Sequence, residues 1–94
     1  MIRSCADRST ARLFEGVAVR RVQGELARCA QRKLRVLHRA KSLGDLTANP
    51  GNRLEKLSGD REGQWSIRVT DQWRICFQWM ERDALEVWFG DYHG

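Results

Sequence analysis

Glu55, Arg68, Arg74 and the run Asp91-Tyr92-His93 are the residues whose types could carry out chemistry. Together they suit one reaction class, transesterification of a ribose phosphate. The 2′-OH attacks the adjacent phosphorus and the 5′-oxygen leaves. The step needs a base for the 2′-OH, a cation for the charge gathering on phosphorus, and an acid for the leaving oxygen. Histidine can be base or acid near neutral pH. Arginine is the preferred cation, because its planar fork offers a phosphate two hydrogen bonds at once. A carboxylate such as Glu55 or Asp91 can take a proton or orient a histidine. Tyr92 can donate a hydrogen bond or stack on a base. The same residues have plainer readings. With 17 basic and 12 acidic residues, a chain also brings such groups together without catalysis. Asp91-Tyr92-His93 could be a frayed tail, and Arg74 could be the cross-strand partner of Glu86.

Other site chemistry finds little support. The two histidines, His38 and His93, have no cysteine near them in sequence, so no metal site is expected. There is no glycine-rich phosphate loop and no G-x-S-x-G motif, and no cofactor is expected. Ser58-Gly-Asp60 reads as a turn. Cys5, Cys29 and Cys76 are odd in number and widely spaced, which suits a reducing compartment better than a disulfide framework. Apolar runs fall far short of a membrane span. The opening Met1–Asp7 lacks the apolar core of a secretion signal. A cytoplasmic protein without membrane contact is the expectation. The net charge of +5 and pI near 9.7 suit a polyanion or an acidic protein partner. The 94 residues fit one domain, 1–94.

Residues 7–15 form a short helix ending at Gly16, capped by Asp7 or Ser9. Residues 19–42 give the strongest helical periodicity, with Val22, Leu26, Cys29, Ala30, Leu37 and Ala40 on one face and Leu34 and Val36 at its edges. Arg21, Arg28, Arg32, Arg35 and Arg39 gather on another face. That stripe reads first as a solvated surface, and second as a contact for RNA phosphates or an acidic segment of a protein partner. Leu43–Leu46 adds one more turn, and a turn cluster follows at 47–52.

Strands are then expected at 53–57, 65–69, 73–79 and 85–89, with Thr70-Asp-Gln72 closing a hairpin. Alternation sends Trp65, Ile67, Val69, Ile75, Phe77, Trp79, Val87 and Phe89 toward the helices. It leaves Ser66, Arg68, Arg74, Cys76, Gln78, Glu86 and Trp88 on an open polar face where a ligand would lie. Trp88 could stack there on RNA or sit under a protein partner. Trp73 opens its strand without an evident place. Cys76, beside Arg74, has no sign of being a nucleophile. The result is an α+β domain, N-terminal helices packed on one face of a small, mainly antiparallel sheet.

The segment RLEKLSGDREGQWSIRV (residues 53–69), followed by DQWRICF (71–77) and the terminal Asp91-Tyr92-His93, strongly resembles the HigB branch of the RelE/ParE toxin superfamily. The opening Met1-Ile-Arg-Ser4 and the order of helices before sheet resemble it too. The resemblance spans the whole chain and implies the RelE/ParE-like fold. It implies a ribosome-dependent, metal-independent endoribonuclease that cuts mRNA and is neutralised by a helix-turn-helix antitoxin. On that resemblance Arg74 matches the phosphate-stabilising arginine, and Asp91, Tyr92 and His93 match the catalytic or substrate-positioning triplet. Arg61 matches a basic loop residue assigned to RNA or ribosome contact. Two positions depart from the pattern. Some members have histidine where this chain has Glu55, and lysine where it has Ser58. Lys56, next on the strand, should point to the opposite side. Two other readings stand beside the nuclease: a non-cleaving gyrase poison of the same superfamily, against which the intact Asp91-Tyr92-His93 argues, and a nucleic-acid or protein-binding module.

Overall fold

A computed structural model describes residues 1–92. Helix α1 (Arg8–Phe14) starts where the Asp7 side chain accepts a hydrogen bond from the Thr10 N–H, and it ends before Gly16 at φ +82°. Helix α2 (Gly24–Arg39) follows, then the short α3 (Leu43–Thr47), capped by Ser42. A 3-10 turn over Pro50–Asn52 leads to β1 (Glu55–Lys56), and another over Gly59–Arg61 leads to β2 (Trp65–Arg68). Strands β3 (Trp73–Met80) and β4 (Asp83–Asp91) complete an antiparallel sheet in the order β1-β2-β3-β4. Residues 2–5 run parallel along β4, bridging Ile2 to Ala84 and Cys5 to Val87. The architecture is the expected α+β arrangement with a mainly antiparallel sheet.

One hydrophobic core joins the layers. Ala30, Leu34 and Leu37 of α2 and Leu13 of α1 pack with Ile67, Ile75, Phe77, Val87 and Phe89 of the sheet. Trp73 finds its place stacked on Phe89, ring centres 5.2 Å apart. The free edge of β4 is covered along its length, which removes a template for stray pairing. Residues 1–6 supply backbone partners, and the buried Thr10 Oγ1 accepts the Phe89 N–H at 2.9 Å.

Two local expectations change. The long helix begins at Gly24 rather than Val19. Val19 to Val22 instead close a tight turn, with the Val22 N–H donating to the Val19 carbonyl at 3.0 Å, and both side chains are buried. Spacing i, i+3 puts two side chains on one side in a helix and in such a turn alike, so periodicity does not separate them. The buried stripe of α2 is therefore centred on Ala30, Leu34 and Leu37, while Leu26 and Cys29 lie at its margin. The last strand is also longer than its alternation suggests. A bulge at Glu86 (φ 51°) sets two residues against Phe77, and pairing then resumes on both sides. Ser4 stabilises the bulge, its Oγ accepting the Glu86 N–H and donating to the Glu86 carboxylate.

Candidate active site

The sheet face away from the helices is not open throughout. Ser66 and Cys76 are fully buried on it. Trp88, directly across from Cys76, lays its indole along β4 over Gly90, where a Cβ would come within 2.2 Å of the ring. The Arg61 guanidinium, from the turn after β1, stacks 4.2 Å from the Trp88 ring centre and 5.5 Å from that of Tyr92. Its Nη1 donates to Gln64 Oε1 at 3.2 Å. Alternation could not foresee this cover, because it comes from a loop folding back. Burial pushes the Cys76 thiol pKa up, against the smaller opposing pull of Arg61 and Arg74. That is the environment of an inert cysteine.

What stays open is a cleft of about 590 Å³ lined by Glu55, Lys56, Leu57, Ser58, Asp71, Arg74 and Tyr92. Arg74 is its floor, with a side chain only 11% exposed. It sits opposite Gly90, not Glu86. Its Nε donates to Ser66 Oγ at 2.8 Å and its Nη2 to the Arg53 carbonyl at 2.8 Å. Arg53 adopts φ 44° at the end of the 3-10 turn, a left-handed conformation uncommon for a residue with a side chain. Arg74 Nη2 also lies 3.4 Å from Glu55 Oε1, whose side chain is 61% exposed. The guanidinium is thus locked in place before any ligand arrives, with Glu55 beside it at the mouth. The Lys56 ammonium lies 5.9 Å from the Trp65 ring centre. Lys56 pairs with Trp65, a core-facing residue, so its ammonium is directed away from Glu55, as strand alternation requires.

Tyr92 reaches the cleft through Gln72. The Tyr92 N–H donates to the Gln72 carbonyl at 3.2 Å, and Gln72 Nε2 donates to Asp91 Oδ2 at 2.7 Å. Gln72 thereby clamps the end of β4. Asp91 itself follows Phe89 to the helix-side face of the strand and does not line the cleft. Glu55, Arg74 and Tyr92 come together; Asp91 does not join them. His93 lies outside the described residues. Arg68, directly across from Arg74, is committed to an ion pair with Asp71. That contact holds the Asp71 carboxyl below its usual range. Arg61 and Trp88, two of the residues expected to touch RNA, stack on each other beside the cleft. Ser66 was expected on this face but not as the support of Arg74, and Gln72 and the Arg53 carbonyl escaped sequence reasoning. Gln72 had one available signal, its place in the hairpin facing the terminal run. No group of three or more histidine, cysteine, aspartate or glutamate residues suited to a metal occurs among the described residues. No described helix is long and apolar enough to cross a membrane.

The family model of RelE-like toxins of type II toxin-antitoxin systems, HigB, matches residues 3–93. The chain belongs to the HigB-like toxin family. It is 34% identical to a protein named Endoribonuclease HigB from Proteus vulgaris, over 93 residues that are 99% of this chain and all of that protein. It is 46% identical to Toxin HigB-1 from Vibrio cholerae serotype O1 over 57 residues, 61% of this chain and 60% of that toxin. The HigB-like match runs across both sides of the cleft, from β1 through the end of β4.

Proposed function

We propose that this HigB-like toxin is an endoribonuclease that cuts mRNA on the ribosome to stop translation. The observation that carries this is the locked Arg74 with the Glu55 carboxylate 3.4 Å away at the mouth of an open cleft. Arg74 binds the scissile phosphate and stabilises the charge of the phosphorane. Its Nε and one bond of Nη2 are held by Ser66 and the Arg53 carbonyl, so the remaining donors meet the phosphate already oriented, the condition for strong electrostatic catalysis. Glu55 takes the proton of the attacking 2′-OH, and a phosphate entering the cleft separates it from Arg74. Tyr92 stacks on a base or donates to the phosphate. His93, next in sequence, is assigned as the acid that protonates the leaving 5′-oxygen. Asp91 acts as a positioning residue through Gln72. The reaction needs only these side chains. A cognate helix-turn-helix antitoxin and the ribosome are the partners this reading assigns, with action in the cytoplasm and the whole of 1–94 working as one domain. The name of the Proteus vulgaris relative supports the ribonuclease reading.

The chemistry is tested on the product ends. Attack by the 2′-OH leaves a 2′,3′-cyclic phosphate upstream and a 5′-hydroxyl downstream, and a single 2′-deoxy substitution at the cut position abolishes cleavage. Cleavage that survives the deoxy substitution contradicts the assigned role of Glu55 as the base for the 2′-OH.

A further inference from the structure

The basic excess of the chain does not lie at the cleft. Between positions 20 and 41, eight arginines and lysines stand against Glu25 alone, a balance of +7, so the other 72 residues carry −2 of the total +5. In the cleft lining, Arg74 faces Glu55 and Asp71, and the Lys56 ammonium is turned toward Trp65. An RNA strand gains little long-range attraction from such a lining, yet phosphate contacts dominate nucleic-acid affinity. The attraction must come from elsewhere on the surface.

Helix α2 concentrates it. Arg28, Arg32, Arg35 and Arg39 are all exposed. They recur at i, i+4, i+7 and i+11, one straight stripe about 16 Å long at the helical rise. Ala30, Leu34 and Leu37 bury the opposite side of the helix against the sheet. The cleft opens on the other face of that sheet, so stripe and cleft look out of opposite sides of the protein. Glu25 offsets only the first turns, 3.0 Å from Arg28 and 3.9 Å from Arg32. Arg35 and Arg39 have no ion pair among the described residues. Beyond Arg39 lies a second hollow of about 540 Å³ that Arg3, Lys41 and Arg82 also line, with Glu81 and Asp83 among them and Asp83 ion-paired to Arg3. Of the exposed large apolar side chains among the described residues, Val17 and Met80 are not on α2, and Met1 lies in the hollow beyond Arg39. A stable protein interface needs a desolvated apolar centre, whereas nucleic-acid interfaces are polar, positive and wet.

We infer that the outer face of α2, centred on Arg35 and Arg39, binds the phosphate backbone of folded RNA, as a second contact on the far side from the cleft. The two faces together let the protein sit between a structured RNA and the strand to be cut. The setting rests on the ribonuclease reading; the binding does not, and is measured without cleavage.

The test is fluorescence anisotropy of a labelled RNA duplex titrated with purified toxin at several salt concentrations. Each phosphate contact contributes about −0.9 to the slope of log affinity on log salt, a value known for B-form duplexes. Arg35→Gln/Arg39→Gln is expected to flatten the slope by about 2 and to weaken low-salt binding about tenfold or more. Arg35→Lys/Arg39→Lys keeps the slope; circular dichroism confirms that each variant is folded. An unchanged slope in the glutamine pair, or a slope that moves only with Arg74→Gln, overturns the inference. So does a glutamine pair that loses its antitoxin while keeping the wild-type slope, because the face then serves an acidic protein. A wild type that shows the predicted slopes but never cuts RNA sinks the ribonuclease reading and leaves this one standing.

Discussion

Gly90→Ala places a methyl group where the Trp88 indole already lies. The new Cβ would be 2.2 Å from Cζ2 and 2.3 Å from Cη2 of that ring, so the indole must swing away. Forcing a methyl into packed space costs about 1–3 kcal/mol. Moving Trp88 also breaks its stack with Arg61, about 0.5–1 kcal/mol at a partly exposed site. Together they give about 1.5–4 kcal/mol, or roughly 6–30 °C in melting temperature for a domain this small. Because Arg61 also flanks Tyr92, cleavage should fall more than stability explains. The assay is thermal unfolding of the two single variants and of Trp88→Ala/Gly90→Ala. In the Trp88→Ala background the extra methyl meets open space, so the cycle should give a coupling of about 1–3 kcal/mol. Additive effects, or a Gly90→Ala protein melting within about 2 °C of wild type, would refute this account of how Trp88 is seated.

Asn52→Ala should cost about 2–3 kcal/mol in urea unfolding. It leaves the Leu46 carbonyl without the 2.9 Å bond from Asn52 Nδ2, and Lys33 without Asn52 Oδ1. Lys33 is already the less basic for its burial, followed by the nearness of Arg32 and Arg68. Asp71→Asn should make the acid limb of the stability curve shallower. Arg68 depresses the Asp71 pKa in the folded state, so its contribution is complete above the ordinary carboxylate value and is lost as pH falls through the depressed one; urea midpoints between about pH 2 and 6 measure it. Cys76→Ala should leave cleavage within a few-fold of wild type, and in the native protein Cys76 should resist thiol reagents that label the half-exposed Cys29; complete loss of cleavage would contradict the roles given to Glu55 and Arg74.

The sheet was legible because Trp65–Val69 and Trp73–Trp79 alternate without interruption, and both run one way into the core. Although Leu34, read as an edge residue, proves to be central to the buried stripe, α2 was legible as a helix because Leu26, Ala30, Leu37 and Ala40 recur at helical spacing. Its start was not, because Val19 and Val22 keep the same spacing in a turn. Arg74 and Glu55 could be singled out by residue type, but the reach of the Arg74 side chain to Glu55 across the intervening β2 could not be foreseen. The closure of the rest of that face could not. It depends on a loop bringing Arg61 back over Trp88, and on Gly90 lacking a side chain, and neither leaves a periodic signal. Asp91 was grouped with Tyr92 by adjacency, yet adjacent residues of a strand face opposite ways. Gln72, which holds them both, is an exposed turn residue of ordinary type.

The most direct test of the central claim is primer extension on a defined mRNA incubated with purified toxin, with and without programmed ribosomes. Wild type is compared with Arg74→Ala and His93→Ala. The account predicts cuts that appear only with ribosomes and that both substitutions remove from folded protein. Cuts of equal strength in the Arg74→Ala protein, or none from folded wild type under either condition, would contradict it.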